Sequence, residues 1–592
     1  MVTAPVTRPV PSSARTDDGR PAGTARTLWR LLGESKGVRG RLLLAALLGA
    51  LASGCAAALM AASAWLIARA AQQPPVLFLL VAVTGVRAFG IGRGVFRYLE
   101  RLVSHDAAFR VLGRLRERLM AQLARLAPAG LPVWRRGDLL ARLVDDVQDT
   151  GDAFLRGMLP IAGAVLVGGG TVVLSFLILP AAGLALLACL VLAAVVAPAL
   201  SARRTARTER EVVRLRGERA RLVGEMLDDA AELTVLGAYD GRLAELDELA
   251  DRNRTVTAKV ARTAGIAAGL ATLAMGAAVW LATVFGVPAV VQGDLAPVLL
   301  AVAVLTPLAL IDVVQAVILA AGTLRRSAAA ADRVFGVLSA QPVVADGPAA
   351  PVDLPKSESG LAVQVRDLAV RWPGSDRDAI SGLDLDLRPG RRIVLLGESG
   401  SGKSTVLAAL LGFLPIRAGS MTIGPVDGSS PAVPVGELDP EAVRALFGWC
   451  DHHAYLFDST IVENVRLARP AATDDDVLAA LHDAGAGEWI DSLPEGLHTR
   501  VGQHGLAVSG GQRQRVAIAR ALLADRPFLL ADEPAASLDR PTADAVTATI
   551  MRPDLRRCVV LVSHRPQDVA RADEVLEIAD GRVVRRYPGP NS

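Results

Sequence analysis

The segment from residue 397 to residue 405, GESGSGKST, has the residue types and spacing of a phosphate-binding loop. It follows the apolar run RRIVLL and precedes the helical pattern VLAALLGF, which is the context that such a loop requires. Its glycines let backbone N–H groups curl around phosphate oxygens, and the helix start adds the positive end of its dipole. Lys403 would meet the β- and γ-phosphate charges, and Ser404 would offer a hydroxyl to Mg²⁺. The predicted site comprises Gly397, Glu398, Ser399, Gly400, Ser401, Gly402, Lys403, Ser404 and Thr405.

A pair of carboxylates supplies the chemistry that should act on this phosphate. The segment PFLLADEP, residues 527–534, is an apolar strand pattern that ends in two acidic residues. Asp532 can hold the magnesium shell, and Glu533 can polarise the attacking water. An acidic strand end exposed to solvent is the alternative interpretation, and the nearby phosphate loop makes it the weaker one.

A second anion-binding helix start lies between these two segments. In VSGGQRQRVAIARALL, residues 508–523, small residues free the backbone immediately ahead of a helical pattern. One domain cannot aim two such helix starts at one γ-phosphate from opposite sides, so the pattern implies a partner domain. The residues concerned are Ser509, Gly510, Gly511 and Gln512.

The elements around these segments are short strands that alternate with helices. Runs such as RRIVLLG and CVVLVSH are typical of buried parallel strands. The second half of the chain is therefore predicted to be an α/β domain.

The composition of the first half points to a membrane. Over the 592 residues, 52% are hydrophobic and only 4% are aromatic, and the mean hydropathy is +0.37. Alanine- and leucine-rich membrane helices have this combination, and soluble domains rarely do. A net charge of +4 gives no indication of a nucleic-acid partner. The four cysteines have no CxxC spacing, so they indicate buried small side chains rather than a zinc site or disulfides.

Six apolar stretches before residue 325 each reach the roughly 20 residues that a membrane-spanning helix needs. Low-charge hairpins join the first to the second, the third to the fourth and the fifth to the sixth stretch. The other connections are long and rich in arginine, which places them and both termini in the cytosol. Their helical periodicity predicts that the spans continue as helices beyond the bilayer. A soluble bundle of buried helices is the alternative. The stretches cover about 41–68, 76–96, 158–179, 181–200, 264–291 and 295–322.

These patterns give a fold class and a domain organisation. The predicted fold is an all-α, six-helix transmembrane domain fused to an α/β P-loop nucleotide-binding domain. The predicted domains are a disordered cytosolic tail at 1–27, the membrane domain at 28–338, a polar linker at 339–360 and the ATPase domain at 361–592.

The segment that begins VSGGQ resembles the signature sequence of the ABC ATPases. In that family two ATPase domains face each other head to tail, and each ATP lies between the phosphate loop of one and the signature of the other. The resemblance implies that Trp372 stacks on adenine, that Asp539 in SLD lies at the dimer interface and that His564 senses the γ-phosphate. Trp372 as a core residue and His564 as a structural residue are the alternatives.

One residue departs from the family pattern. The family normally has a glutamine, a magnesium ligand, four residues before the Leu-Phe that ends CDHHAYLF, and this chain has His452 there. Imidazole prefers softer ions than Mg²⁺, so hydrolysis at this chain's own site, or its coupling to transport, is expected to be weakened.

Six spans fused ahead of one ATPase resemble half of an ABC exporter. The resemblance implies that the chain must dimerise to work. It also implies short cytosolic coupling helices that rest on the ATPase domains, the second of them near residues 227–240.

A basic stripe occupies the second span and its extension in GVRAFGIGRGVFRYLERLVSHDAAFR, residues 85–110. Arg87 lies near mid-bilayer and Arg93 closer to the cytosol, where a charge is costly unless it faces a wet cavity or a partner. We therefore expect both to meet an anionic substrate. Arg97, Arg101 and His105 recur every four residues, on one helix face.

Two simpler interpretations of the stripe stay open. In the first, an arginine pairs with Asp312 of the sixth span or snorkels to the interface, and in the second, His105 is a plain interfacial residue.

The sequence of this stretch is most similar to that of one group of exporters. RYLERLVSHDAAFRVL, together with SAWLIARAA and AELTVLGAYD, resembles the CydC family, which pairs with CydD in a bacterial thiol exporter needed for cytochrome bd assembly. The resemblance implies ATP-driven export of cysteine or glutathione across the inner membrane, a homologous CydD-like partner subunit, and haem with His105 as the ligand of its iron. The alternatives are a haem-responsive regulatory half-transporter with a weak ATP site and an exporter of lipids or drugs.

Overall fold

The computed structural model describes residues 26, 27, 30, 31, 33, 36–131, 136–344, 347–348, 350–452, 454–505, 507–552 and 556–590. These residues form two compact units. The first contains the described residues up to 123 and those from 136 to 340, and the second contains 124–131 and the described residues from 341 onward. Residues 1–25, most of the predicted tail, lie outside the described residues.

The first unit contains six helices that are long and apolar enough to cross a membrane, which confirms the six predicted spans. Four of them run for 42 to 53 residues, about twice the length that the hydrocarbon layer requires. The predicted helical extensions beyond the bilayer are therefore present. In chain order the spans are Arg39–Ala70, Val76–Leu126, Gly137–Ile178, Pro180–Ser201, Tyr239–Val291 and Pro297–Leu338. The fourth continues in helix Ala197–Asp228, and helix Ala230–Val235 precedes the fifth.

Small side chains line the contacts between the spans. In the fifth span the buried positions recur every three or four residues along one face, and most are alanine. Because lipid is as apolar as the helices, close packing of small residues is a main source of helix association in a membrane. At the hairpin between the third and fourth spans, a Cβ on Gly183 would lie 2.5 Å from the Cα of Phe176. A larger residue there would force the two helices apart.

The third span departs from regular α-helix. It contains π-helical turns at Arg142–Asp146 and Ala153–Met158, and the fourth span contains one at Leu192–Val196. Such turns are frequent at functional sites because they shift the side chains that follow onto another face. Near the first turn, Arg333 of the sixth span makes a bidentate contact with buried Asp146, at 2.8 Å and 2.5 Å. This ion pair joins the third and sixth spans.

The second unit contains two sheets, as the alternating strand and helix patterns predict. Their strands are β1 Leu361–Val370, β2 Ile380–Leu387, β3 Arg392–Leu396, β4 Ile416–Pro425, β5 Val433–Pro434, β6 Phe447–Cys450, β7 Phe528–Asp532, β8 Cys558–Val562, β9 Glu574–Ala579 and β10 Arg582–Pro588. The larger sheet has the strand order β10-β9-β3-β8-β7-β6, and the smaller, antiparallel sheet has the order β2-β1-β4-β5. In the larger sheet β9, β3, β8, β7 and β6 are parallel and β10 is antiparallel.

The helices of this unit flank the parallel strands. Two of them matter for the site: Lys403–Leu410 follows β3, and Gly510–Leu523 packs beside β6. The others are Pro440–Arg444, Ile461–Arg466, Asp474–Asp483, Gly487–Asp491, Arg540–Ile550 and Pro566–Val569.

The cysteines are structural. Cys189, Cys450 and Cys558 are buried and Cys55 is half-buried, and none forms a disulfide. Burial raises the pKa of the Cys450 and Cys558 thiols to about 12. Both are therefore protonated and unreactive at neutral pH, as small apolar side chains of the core would be.

Candidate functional site

The predicted nucleotide-binding residues follow four neighbouring parallel strands. The phosphate loop follows β3, His564 lies two residues after β8, Asp532 ends β7, and His452 lies two residues after β6. These strands are adjacent in the sheet, in the order β3, β8, β7, β6. Because the carboxyl ends of parallel strands meet at one sheet edge, the topology brings together segments that are up to 167 residues apart in sequence (564 minus 397).

The phosphate loop has a backbone that only glycine adopts easily. Gly402, at the start of helix Lys403–Leu410, has a φ of 112°. Gly397 has a φ of 148°, and a Cβ there would lie 2.2 Å from the carbonyl oxygen of Ile578. Lys403 is buried, and its Nζ donates hydrogen bonds to the carbonyl oxygens of Gly397 and Glu398, at 2.8 Å and 2.7 Å. The loop therefore encloses the ammonium group that a phosphate would meet.

Glu533 lies between two imidazoles. Its Oε2 is 3.3 Å from Nε2 of His564 and 3.9 Å from Nδ1 of His452. Glu533 has a φ of 46°, in the left-handed region, which costs an ordinary residue about 1–2 kcal/mol. Its N–H donates to the carbonyl oxygen of Val562 at 3.1 Å, which holds the strained turn against β8. Strain of this kind clusters at functional sites.

Trp372 connects the antiparallel sheet to the phosphate loop. It lies two residues after β1, and its indole N–H donates to the hydroxyl of Thr405 at 3.1 Å. The ring is half-buried against the core of the domain. The contact places an aromatic face next to the helix that begins at Lys403.

The signature segment forms a capped helix start. The Ser509 hydroxyl accepts from the N–H of Gln512 at 3.2 Å, and the Gln512 side chain accepts from the N–H of Ser509 at 2.8 Å. A Cβ on Gly511 would lie 3.0 Å from the carbonyl oxygen of Ser537, in the SLD segment. Asp539 caps helix Arg540–Ile550, and hydrogen bonds from Thr542 hold the pKa of its carboxyl below the usual value. The signature and SLD segments are therefore neighbours.

A cavity of 790 Å³ lies beside the phosphate loop. Its lining includes Gly397 to Ser401 and His564. None of the described signature residues, Ser509 to Gln512, lines it. Within one chain, the phosphate loop and His564 line this cavity together, and Glu533 lies next to His564.

A second cavity, of 630 Å³, lies within the first unit. The side chains of Arg97, Arg101 and His105 all line it, so the four-residue spacing did put them on one face. His105 Nδ1 donates to the carbonyl oxygen of Arg101 at 2.9 Å, which leaves Nε2 as the other ring nitrogen. Glu100 of the same span also lines the cavity, and charged residues of two other spans complete the lining: Asp152 and Arg156 of the third, and Asp312 of the sixth.

Arg87 and Arg93 are not among the residues that line this cavity. Both side chains are exposed, and neither makes an ion pair or a side-chain hydrogen bond with any residue that the structure describes. In the most apolar 18-residue window of this span, no residue is buried. Arg87 and Arg93 therefore lie apart from Arg97, Arg101 and His105, the residues of the basic stripe that line the cavity.

The third span contributes polar residues to the cavity that were not predicted as site residues. Gln148, Asp152 and Arg156 line the cavity at four-residue intervals, and Asp152 and Arg156 form an ion pair at 3.2 Å. The spacing was a usable signal, because polar residues recurring every four positions just before an apolar stretch mark one helix face.

Comparisons with known proteins agree with this architecture. Residues 42–310 match the family model "ABC transporter transmembrane region", and residues 380–536 match "ABC transporter". The CydD protein of a glutathione/L-cysteine transport system from Bacillus subtilis is 30% identical, over 90% of this chain and 91% of its own length. The corresponding CydC protein of Escherichia coli is 28% identical, over 86% of each chain.

A solved structure shows the same fold. A bacterial Atm1-family ABC exporter with ATP bound matches with a TM-score of 0.80 and 23% identity, over 94% of this chain and 96% of that one. The predicted fold class is thus confirmed, and the chain is a multi-pass membrane protein with an ATP-hydrolysing domain. It belongs to the ABC transporter family, among the exporter-type proteins that join a membrane domain to an ATPase domain, as CydC and CydD do.

Proposed function

We propose that this chain is one half of a heterodimeric exporter that uses ATP to move small thiols, cysteine or glutathione, out of the cytoplasm and across the inner membrane. In this proposal its partner is a homologous CydD-like subunit, and the exported thiol supports cytochrome bd assembly. The observation that carries the proposal is the charged cavity between the second, third and sixth spans, in a chain similar over most of its length to two glutathione/L-cysteine transport proteins.

The ATP site would work as follows. The phosphate loop and Lys403 hold the phosphates, Ser404 and Asp532 hold Mg²⁺, and Trp372 stacks on adenine. Glu533 orients and polarises the attacking water, and His564, 3.3 Å from its carboxylate, contacts the γ-phosphate. His452 stands where the family has a glutamine that helps to hold the metal. Mg²⁺, when bound, would supply positive charge beside the phosphates.

A second subunit would complete each site. The signature residues Ser509, Gly510, Gly511 and Gln512, together with Asp539, would face the ATP that the partner holds. The match of this chain to ABC transport proteins supports that arrangement. Closing on ATP would draw the two ATPase domains together and favour the outward-open state, and hydrolysis would reset the transporter.

Exposed apolar side chains support a partner at the second coupling segment. Leu227, Val235 and Leu236 are 73%, 87% and 68% exposed, around helix Ala230–Val235. A cluster of this kind on a cytosolic loop is typical of a protein–protein contact. We propose that it rests on the ATPase domain of the partner subunit.

The exposed side chains of Arg87 and Arg93 also fit a transporter made of two subunits. Arg87 and Arg93 lie in the membrane half without a partner among the described residues, and a charge facing lipid would be costly. We propose that they face the water-filled path between the two subunits, where they meet substrate carboxylates.

Transport into inverted membrane vesicles tests the proposed function. Vesicles containing both subunits should accumulate labelled cysteine or glutathione on adding ATP, and vesicles with Lys403→Ala should not, because the phosphates lose their main cation. The matched control is Lys356→Ala, in the linker. ATP-dependent uptake of a lipid or a drug, with no uptake of either thiol, would refute the proposal.

We also propose that His105 ligates haem. The hydrogen bond from Nδ1 to the Arg101 carbonyl is the arrangement that orients a metal-ligating histidine, since it leaves Nε2 for the metal. The cavity also supplies arginines for the propionates. Bound haem would supply a redox-active iron with a Soret band.

Replacing His105 by alanine is expected to abolish the Soret band of the purified complex while protein abundance is unchanged. His498→Ala, an exposed residue of the ATPase domain, is the control and should keep the band. A band of wild-type height and position in His105→Ala would exclude His105 as the ligand.

One observation favours a second candidate function, a haem-responsive regulatory half-transporter whose own ATP site is weak. His452 stands where the family has glutamine, and its ring is 3.9 Å from the carboxylate of Glu533. An imidazole this close to the carboxylate would compete with the attacking water for Glu533. The ATPase test of Glu533 discussed below separates this candidate from the exporter.

A further inference from the structure

The turn that carries His564 lies between the end of β8 and helix Pro566–Val569. The His564 side chain is 63% exposed, and its ion-pair contact within the described part of the chain is with Glu533, at 3.3 Å. Packing alone therefore does not fix the direction of the ring. The backbone of the turn sets where the imidazole lies, so the contacts that hold the turn also set the distance from the ring to the Glu533 carboxylate.

A buried pair of polar side chains holds this turn. Ser563 and Asp568 are 5% and 1% exposed, and the Ser563 hydroxyl donates to Oδ2 of Asp568 at 2.6 Å. The oxygen of the same hydroxyl accepts from the N–H of Arg565 at 3.1 Å. Because Ser563 precedes His564 and Arg565 follows it, this hydroxyl joins the residues on both sides of the histidine.

Backbone hydrogen bonds connect the turn to the nucleotide site. The N–H of Ser563 donates to the carbonyl oxygen of Leu395 at 3.3 Å, in β3, two residues before the phosphate loop begins. The carbonyl oxygen of Val562, the residue before Ser563, accepts from the N–H of Glu533 at 3.1 Å. A change in the conformation of Ser563 would therefore displace His564 relative to both the phosphate loop and Glu533.

The buried carboxylate lowers stability unless it has a role. The other oxygen of Asp568, Oδ1, is buried and has no hydrogen-bond partner among the residues that the structure describes. Burying a carboxylate with one unsatisfied oxygen is costly, so a core selected for stability alone would favour an apolar side chain at this position. Groups of this kind persist where they hold a functional geometry.

From these contacts we infer that Ser563 and Asp568 are positioning residues for ATP hydrolysis, and that their hydrogen bond fixes the turn which directs His564 toward the γ-phosphate. The inference rests on the proposed function of the ATP site, in which His564 contacts that phosphate. Neither Ser563 nor Asp568 lines the cavity beside the phosphate loop. A displacement of about 1 Å in a group that must be oriented can lower a reaction rate about 100-fold.

The test uses the complex of both subunits without a transport substrate and measures kcat, KM for ATP and the unfolding temperature. Ser563→Ala should lower kcat about 10- to 100-fold, because the turn loses its bridging hydroxyl. KM should change little, because the phosphate loop still binds ATP. Ser563→Thr keeps a hydroxyl at the same place and should keep most of the wild-type kcat.

A double variant separates positioning from stability. Ser563→Ala alone leaves the Asp568 carboxylate buried without a donor, which lowers the unfolding temperature. Adding Asp568→Ala removes both polar groups, so the unfolding temperature should recover toward the wild type while kcat stays low. The matched control is Thr473→Ala with Asp476→Ala, which removes a hydroxyl and a carboxylate that cap helix Asp474–Asp483 and should keep the wild-type kcat.

The His564→Ala background shows whether the pair acts through the histidine. In that background Ser563→Ala should lower the residual kcat no further, because effects that share one route do not add. A further loss of about 10-fold there would overturn the inference, as would a double variant whose kcat recovers together with its unfolding temperature. Unchanged hydrolysis in His564→Ala would overturn it together with the role proposed for that residue. None of these measurements depends on the exported compound, so a failure of thiol export would appear in the vesicle uptake and not here.

Discussion

Replacing Glu533 by glutamine is expected to lower ATP hydrolysis by the assembled transporter about 100-fold or more, while ATP still binds. The amide keeps the size of the side chain but cannot polarise the attacking water as a carboxylate does. The strained backbone at this residue, with a φ of 46°, and its position between two imidazoles support a direct role in hydrolysis. Phosphate release by the copurified complex, together with binding of a fluorescent ATP analogue, measures the two quantities.

The control for this variant is Glu441→Gln, an exposed carboxylate on the same domain. It should leave hydrolysis within about twofold of the wild type, since exposed single charges away from a site have small effects. Unchanged turnover in Glu533→Gln would favour the regulatory half-transporter, in which the partner subunit hydrolyses ATP and this chain's site is nearly silent.

Replacing Gly511 by aspartate is expected to reduce hydrolysis by the complex to near background without weakening ATP binding at this chain's own phosphate loop. The new carboxylate would face the γ-phosphate held by the partner subunit and repel it. Its Cβ would also lie 3.0 Å from the carbonyl oxygen of Ser537, a contact that forces the SLD segment to shift. Both effects act on the composite site.

A matched variant is Gly436→Asp, where a Cβ meets nothing within 4 Å. It adds the same charge to the same domain, outside the signature, and should keep wild-type turnover. Hydrolysis that persists in Gly511→Asp would show that the signature of this chain contacts no nucleotide. Loss of ATP binding at its own phosphate loop would show that the signature belongs to the same site.

Local spacing was sufficient to predict the ATP-binding elements. The phosphate loop, the carboxylates after β7 and the signature each depend on a few consecutive residues whose backbone chemistry is set locally, so their structure follows from the sequence. The position of His452 beside Glu533 depends on strand order instead. β6 and β7 are neighbours in the sheet, although 77 residues (451–527) lie between the end of β6 and the start of β7. No spacing in the sequence indicates that these two strands are adjacent.

The membrane cavity shows the limit of helical periodicity. The four-residue spacing placed Arg97, Arg101 and His105 on one face, because a straight helix preserves it. Arg87 lies 18 residues before His105, which is five turns of 3.6 residues, so a straight helix would direct both side chains the same way, yet Arg87 does not line the cavity. Helix geometry fixes the face of a residue, and packing against other helices decides which part of that face borders a cavity. The π-helical turns of the third span likewise depend on tertiary packing, and no periodicity in the sequence indicated them.

The most direct test of the central claim is ATP hydrolysis by this chain purified alone, compared with the same chain copurified with its partner half-transporter at equal concentration. If each ATP is completed by the facing subunit, the isolated monomer should bind ATP with negligible turnover, and adding the partner should restore hydrolysis. A monomeric preparation with the full activity of the complex would contradict the account.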